Sequence, residues 1–256
     1  MPRSLTVHLL PSLFEASDLA GGIAVVTDVL RATTTVAYGL KNGARGIIPC
    51  ESIDEAVALR EAGDASWELL LGGERGGEPI AGFDLGNSPS EWSNEVVADR
   101  EIAFTTTNGT RALLRSAMAA RVLTGAFANL GAVCDLLLAD SRSIHIVCAG
   151  TVGKVSTEDC LFAGAVVDGL LGSNTASADS AAQKFDLCDA SRLVLSHWKT
   201  AAGTPDGLFQ AMKAGSGGRN LMRLGLEADI RTAATLDQVD LVPEYLPQSR
   251  RISRAN

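Results

Sequence analysis

The chain has 256 residues, of which 22 are basic and 30 are acidic, so its formal net charge is −8 at pH 7. With 46% hydrophobic and 20% charged residues, the composition predicts a soluble globular protein with a sizeable core and excludes a disordered polyelectrolyte. The acidic balance argues against nonspecific binding to nucleic acid or to an anionic membrane, because both need a broad basic surface. A local anion-binding site is still allowed.

The N-terminus and the cysteines indicate the compartment. The first residues lack the long uncharged apolar core of a signal peptide, and no later apolar run approaches membrane-spanning length. The five cysteines are odd in number and include no Cys-x-x-Cys pair, which disfavours a disulfide framework or a zinc site. We therefore expect a cytoplasmic protein with reduced thiols. The sequence does not decide between a monomer and a homo-oligomer.

Short apolar runs alternate with helical segments through the first two thirds of the chain. This alternation predicts an α/β fold with three layers, α/β/α, and a mostly parallel or mixed sheet whose functional loops follow the strands. The predicted strands cover residues 23–26, 46–50, 68–71, 102–105, 122–123 and 144–148. The predicted helices cover residues 30–40, 52–62, 111–119 and 156–171.

The last third of the chain is predicted to be mainly helical, after a polar stretch. Residues 173–180 are rich in small polar side chains, so residues 173–184 are the candidate boundary if the predicted single domain, residues 1–256, divides into two lobes. Helices are then predicted at residues 191–202, 207–214 and 220–228, with a glycine-rich break at 215–218 and a last strand at 239–243.

Polar turns rich in Gly, Thr, Asn and charged residues follow several of the predicted strands. The turn at residues 106–110 combines three hydroxyls with an Asn-Gly pair at a helix start, where backbone N–H groups and the helix dipole favour an anion. An ordinary Asn-Gly turn with a threonine cap is the alternative. The other turns of this kind cover residues 27–35, 72–89 and 149–159.

Acidic residues in these turns have both a functional and a structural interpretation. Asp28 ends a buried-looking strand, where a carboxylate could hold Mg²⁺, and Arg31 could meet an oxyanion. Asp28 is also typical of a turn in which the carboxylate bonds to its own backbone. Glu158 and Asp159 fall in the first turn of a helix, where acids are favoured by the dipole, and the acid and base of loop 72–77 could form a solvated ion pair.

Common catalytic signatures are absent from the sequence. It contains no G-x-G-x-x-G and no G-x-S-x-G, and a P-loop fails because Cys148 and Val155 replace its first glycine and its hydroxyl residue. No cysteine is followed by arginine six positions later, and the three histidines lie far apart. A covalent thiol, serine or histidine mechanism is therefore disfavoured.

Together, the polar turns resemble the 2-phosphosulfolactate phosphatase family (the ComB family). The matching segments are residues 28–35, 73–75, 82–89, 106–110, 149–150, 158–159 and 163–164, with weaker matches at 218–219 and 240–243. The resemblance spans almost the whole chain, except that residues 151–154 do not align clearly and 173–184 look like a local insertion. It implies a Mg²⁺-dependent phosphatase that hydrolyses 2-phospho-3-sulfolactate, a small anionic phosphorylated substrate, in coenzyme M biosynthesis. A phosphatase of another phosphorylated hydroxy acid and a noncatalytic anion-binding protein remain alternatives.

The turns and the resemblance together predict the site. The predicted catalytic residues are Asp28, Arg31, Glu74 and Asp159. The carboxylates expected to bind Mg²⁺ or activate water are Asp28, Glu74 and Asp159, with Asp84 in reserve. The residues expected to bind substrate anions are Arg31, Arg75, Thr107, Asn108, Gly109 and Thr110.

Overall fold

A computed structural model of the chain describes residues 2–62, 69–172 and 185–255. Within these residues one mixed sheet of eleven strands is combined with ten α-helices in a three-layer α/β/α arrangement. The strands are β1 Arg3–His8, β2 Ile23–Thr27, β3 Gly46–Pro49, β4 Leu69–Arg75, β5 Glu78–Pro79, β6 Glu101–Thr105, β7 Arg121–Thr124, β8 Ile144–Cys148, β9 Phe185–Leu187, β10 Pro243–Leu246 and β11 Arg251–Arg254.

The helices connect these strands and form a cluster near the C-terminal end. They are α1 Ala32–Lys41, α2 Ile53–Ala62, α3 Asn94–Val97, α4 Gly109–Arg115, α5 Leu130–Ala139, α6 Thr157–Gly172, α7 Asp189–Ala202, α8 Gly207–Ala214, α9 Ser216–Arg223 and α10 Glu227–Ala233. Of these described helices, none has both the length and the apolar character needed to cross a bilayer.

The sheet consists of two parallel blocks joined by an antiparallel hairpin. Its strand order is β5-β4-β6-β3-β11-β10-β7-β2-β8-β1-β9. Strands β4, β6 and β3 are parallel to one another, as are β7, β2, β8, β1 and β9. The hairpin of β10 and β11 pairs antiparallel with both blocks. The expected mostly parallel or mixed sheet is therefore mixed.

The central strand β2 shows why its sequence is apolar without alternation. Its side chains point alternately to the two faces, and both faces are covered. Ile23 and Val25 belong to the core cluster that includes Phe162 of α6, whereas Ala24 and Val26 belong to the cluster that includes Val36 of α1. The strand is thus held on both sides, which fixes the position of the turn that follows it.

Most strands predicted from the sequence are confirmed, and three predictions are corrected, two of them on strands and one on a helix. Residues 239–242 lie in no strand, and β10 begins only at Pro243. The glycine-rich stretch at 215–218 is not a break, because α9 starts at Ser216. Strand β4 continues to Arg75, where a loop was predicted. The candidate lobe boundary at 173–184 and the predicted strand start at residue 68 lie outside the described residues.

Candidate active site

The turns that follow β2, β4, β6 and β8 meet at one cavity of about 310 Å³. Residues of the first turn of α9 also line it. The residues that line it are Asp28, Leu30, Arg31, Glu74, Gly76, Gly77, Asn87, Thr107, Asn108, Thr151, Val152, Ser216, Gly217, Asn220 and Leu221. Polar groups from distant parts of the sequence are therefore collected around one small space, as in ligand sites.

Asp28 lies at the end of β2 and is a buried acid facing this cavity. Its side chain accepts hydrogen bonds from the backbone N–H groups of Ala32 and Gly109, at the starts of α1 and α4. Burial, together with the nearby charges of Glu74 and Glu158, raises the pKa of Asp28 to about 7. The cavity wall therefore carries a carboxylate whose charge is costly unless a cation or a proton balances it.

The threonines after Asp28 hold its turn in place. The backbone N–H of Asp28 donates to Thr33 Oγ1 (3.1 Å), and Thr34 Oγ1 donates to the carbonyl of Val29 (2.8 Å). Thr35 Oγ1 donates to the carbonyl of Asn87 (3.1 Å). The threonine run thus fixes the turn internally and ties it to the 87–89 segment.

Glu74 connects two of the turns. Its Oε2 accepts the backbone N–H of Gly77 (2.7 Å), and its Oε1 accepts the backbone N–H of Thr107 (2.8 Å). The side chain is buried and lines the cavity. A carboxylate with a donor on each oxygen keeps the turns after β4 and β6 at a fixed separation.

Asp159 plays the same connecting role on the other side. Its Oδ1 accepts the backbone N–H of Val29 and its Oδ2 that of Gly150, both at 2.9 Å. Asp159 does not line the cavity. Burial, then the charges of Asp28 and Glu158, raises its pKa well above the ordinary value. Asp159 thus connects the turns after β2 and β8, and its direct contact with a metal stays a prediction.

Glu158 is a buried acid near Asp28 that the predicted set did not include. It is only 1% exposed, and its Oε2 has no hydrogen-bond partner among the described residues. A Cβ built on Gly215 would lie 2.9 Å from this oxygen, so Glu158 packs against the start of α9. Burial raises its pKa. The sequence could have indicated Glu158 because it is adjacent to Asp159. An acid in the first turn of a helix is, however, also explained by its favourable interaction with the helix dipole.

Arg31 is the basic residue that lines the cavity. Its NH1 donates to Asp229 Oδ2 (2.6 Å) in a buried ion pair, and its NH2 donates to the carbonyl of Gly77 (2.7 Å). The Leu30–Arg31 peptide bond is cis. Asp229, in α10, lies 198 positions away in sequence, and no local pattern in the sequence identified it.

Arg75 and Asp84 do not line the cavity. Arg75 donates to the carbonyl of Glu74 (2.7 Å) and to Thr105 Oγ1 (2.9 Å). Asp84 Oδ2 accepts the backbone N–H of Leu71 (2.8 Å) and pairs with Arg60 on a half-exposed surface. The structure therefore places the predicted anion ligand Arg75 and the reserve metal ligand Asp84 outside the set of residues that line the cavity.

The turn at 106–110 is arranged differently from the predicted anion cradle. Backbone N–H groups of this turn already have protein acceptors: those of Thr107 and Gly109 bond to Glu74 and Asp28, and that of Thr110 to Thr106 Oγ1 (3.3 Å). Gly109 and Thr110 are not among the residues that line the cavity. These three N–H groups are thus used within the protein, and binding of a substrate anion by this turn stays a prediction.

Thr107 and Asn108 do line the cavity. Thr107 Oγ1 is buried and has no hydrogen-bond partner among the described side chains and backbone. Asn108 Oδ1 accepts the backbone N–H of Val152 (3.1 Å), which joins this turn to the one after β8. The hydroxyl of Thr107 thus has no protein partner among the described residues, whereas Asn108 has a structural one, and binding of substrate by these two residues stays a prediction.

The acids do not form a ready-made metal cage. Within residues 2–62, 69–172 and 185–255, no group of three or more His, Cys, Asp or Glu side chains could hold a metal ion by itself. This excludes an all-protein cage in that region. It does not conflict with Mg²⁺, which is commonly held by one or two carboxylates together with waters and substrate phosphate oxygens.

A second, larger groove of about 500 Å³ lies between α7, α8 and α10. Its wall includes Trp198, Phe209 and Arg231, and the guanidinium of Arg231 lies 4.1 Å from the centre of the Phe209 ring. None of the turns that follow the parallel strands contributes to it. Chemistry is therefore better placed in the smaller cavity, where buried acids and an arginine converge.

The fold and the site define an α/β/α protein with buried carboxylates and an arginine around one polar cavity at the strand ends. The model of the 2-phosphosulpholactate phosphatase family matches residues 8–247. The chain belongs to this family, and the resemblance noted in its sequence is confirmed.

Individual relatives agree with this assignment. The chain is 39% identical to a probable 2-phosphosulfolactate phosphatase of Caldanaerobacter subterraneus over 227 residues, which cover 89% of each protein. It is 40% identical to the protein of the same description from Deinococcus radiodurans, over 88% of each chain. A relative from Synechococcus is also 40% identical, over 86% of this chain and 87% of its own.

Proposed function

We propose that the protein is a Mg²⁺-dependent phosphatase that hydrolyses 2-phospho-3-sulfolactate to sulfolactate and phosphate. Family membership supports the reaction, and the observation that carries it to a particular site is the buried acid cluster around Asp28 in the cavity that Arg31 also lines. A phosphatase acting on another small phosphorylated hydroxy acid would use the same arrangement.

The charges of the cavity support a requirement for a divalent cation. The substrate carries a phosphate, a sulfonate and a carboxylate, all negative at neutral pH. The wall itself presents Asp28 and Glu74, and the charge of its arginine, Arg31, is already paired with Asp229. Such a surface repels a polyanion unless a bound cation changes the sign of its field.

Asp28 and Glu74 are the residues that we propose to hold Mg²⁺, because both are buried acids that line the cavity. Bound Mg²⁺ would supply positive charge to the phosphate oxygens during attack by water. Glu158 does not line the cavity, but it adds negative charge near Asp28. Asp159 would act indirectly by fixing the turns after β2 and β8.

The remaining groups of the wall would bind and orient the substrate. Arg31 would donate to an anionic group, and Thr107 Oγ1 would donate to another oxygen of the same molecule. Because phosphoryl transfer is accelerated mainly by positioning and electrostatics, the hydrogen bonds that hold these turns bear directly on the rate. We propose a cytoplasmic location as well, which the free state of all five cysteines supports.

The proposal is tested by measuring phosphate release from 2-phospho-3-sulfolactate and from a panel of phosphorylated hydroxy acids, after chelation and after Mg²⁺ is restored. We expect release only with Mg²⁺, and the highest kcat/KM for the sulfonated substrate. Undiminished release after exhaustive chelation would contradict the metal assignment. Binding of the panel without turnover would favour the noncatalytic alternative.

A further inference from the structure

The contacts of Asp229 are not explained by the fold alone. Asp229 is buried in α10, and its Oδ2 pairs with Arg31 NH1 at 2.6 Å. Its other oxygen, Oδ1, accepts a hydrogen bond from Ser88 Oγ at 2.6 Å. One carboxylate from the C-terminal helices thus contacts Arg31 of the cavity wall and Ser88 of the segment that follows β5.

The two acceptors of Arg31 fix the plane of its guanidinium. Asp229 Oδ2 accepts a hydrogen bond from NH1, and the carbonyl of Gly77 accepts one from NH2 at 2.7 Å. A guanidinium has five N–H donors in a rigid planar fork, so two protein acceptors orient the group while others of its donors can serve a ligand. Ser88 in turn holds the carboxylate that does the orienting.

We propose that Asp229 is a positioning residue for substrate binding, which acts through Arg31 by aiming its guanidinium at an anionic group of the bound substrate. This inference rests on the proposed function and adds to it a residue outside the cavity. Removing the carboxylate would leave Arg31 charged and partly unheld, so the substrate would meet a mobile donor instead of a fixed one.

A double-mutant cycle on kcat/KM tests the proposal, using 2-phospho-3-sulfolactate, Mg²⁺ and the variants Asp229→Ala, Arg31→Ala and the pair. We expect Asp229→Ala to raise KM about tenfold while kcat falls less than about threefold. In the Arg31→Ala background the same change should alter kcat/KM less than about twofold. Equal losses in both backgrounds, or no loss in either, would overturn the proposal.

Two further variants separate positioning from folding. Asp229→Asn keeps the size and one acceptor oxygen, so its KM should fall between those of the wild type and Asp229→Ala. Glu244→Ala breaks the ion pair with Arg121, whose closest atoms are 2.6 Å apart between β7 and β10. This control should lower Tm and leave KM unchanged. If Asp229→Asn showed the same KM as Asp229→Ala while both stayed folded, orientation by an acceptor oxygen would be refuted.

A wild-type protein that releases no phosphate would contradict the proposed function without deciding the role of Asp229. The same cycle is then read by calorimetric titration of inorganic phosphate in the presence of Mg²⁺. Positioning would be supported if Asp229→Ala weakened phosphate binding in the wild-type background and had no effect on it in the Arg31→Ala background. Unchanged affinity in Asp229→Ala would overturn it.

Discussion

Asp28 and Gly109 are packed so closely that a Cβ built on Gly109 would lie 2.8 Å from Asp28 Oδ2. The backbone N–H of Gly109 also donates to this carboxylate. The glycine of the Asn-Gly turn therefore serves the acid of another strand, because only a residue without a side chain allows the two turns to approach in this way.

The first prediction follows from this contact. Gly109→Ala should displace the Asp28 carboxylate and lower kcat/KM by about tenfold or more, since small displacements of a catalytic group are costly. Gly172→Ala, at the end of α6, is the matched control, because a Cβ there meets no atom of the described residues within 4 Å. Steady-state kinetics and Tm are measured for both. Equal activity in the two variants would contradict the prediction.

The second prediction concerns the stability cost of Asp28. Its pKa rises from 3.8 to about 7 on folding, so the folded protein holds this proton more tightly than the unfolded chain. Stability due to this group therefore falls as the pH rises from about 4 to above 7. In EDTA at pH 8, Asp28→Asn should raise Tm by about 5 °C, and the gain should shrink toward pH 5.

The same variant should lose most of its activity, by about 100-fold or more, because the amide cannot supply the negative charge for Mg²⁺. Thermal melts with and without Mg²⁺ complete the comparison. Mg²⁺ should raise the Tm of the wild type at pH 8 and have little effect on Asp28→Asn. A variant that is both less stable at pH 8 and fully active would show that Asp28 is an ordinary turn residue.

The third prediction is a competition between protons and Mg²⁺. Because Asp28 must be ionised to bind the cation, kcat/KM at low Mg²⁺ should rise with pH through about 7. Higher Mg²⁺ should move the midpoint of this rise to lower pH. The measurement is a set of pH profiles at several Mg²⁺ concentrations, and a midpoint independent of Mg²⁺ would argue against Asp28 as its ligand.

The fourth prediction concerns the wall formed by α9. A Cβ on Gly217 would collide with Glu158 Oε1, and Gly217 itself lines the cavity. Gly217→Ala should therefore displace Glu158 and lower kcat/KM by about tenfold, although alanine favours helix more than glycine does. Tm and kinetics are compared with those of Gly172→Ala. If the folded Gly217→Ala variant kept wild-type kinetics, Glu158 would have no role in activity.

The sequence predicted those parts of the fold in which local patterns and tertiary contacts agree. Strand β2 and helix α6 were placed within about one residue of their positions, because long apolar or capped segments leave few alternatives. The sequence predicts that the third strand ends at residue 71 and that the glycine-rich residues 72–77 form a loop, whereas β4 continues through Gly72 to Arg75. A Cβ on Gly72 would lie 3.0 Å from the ring of Trp92, so a side chain elsewhere in the chain accounts for the glycine.

For the site, the sequence predicted which turns contribute but not how their groups are bonded to one another. The turns that carry Asp28, Glu74 and Thr107 stood out by composition, and the structure brings them to one cavity. The use of each hydrogen-bond donor was not predictable, because donation from Gly109 to Asp28 depends on the distance between two strands. Asp229 was missed for the same reason: its partner lies far away in the chain, and its own helix shows no distinguishing pattern.

The position of the β10–β11 hairpin has a consequence for how the molecule is made. These strands come last in chain order, yet they lie between the two parallel blocks and pair with β7 on one side and β3 on the other. During translation, each block can gather its own strands as they emerge, but the junction must stay open until residues 243–254 leave the ribosome. A nascent chain stalled before that point would present two unfilled strand edges to solvent, which are the surfaces that chaperones and neighbouring nascent chains recognise.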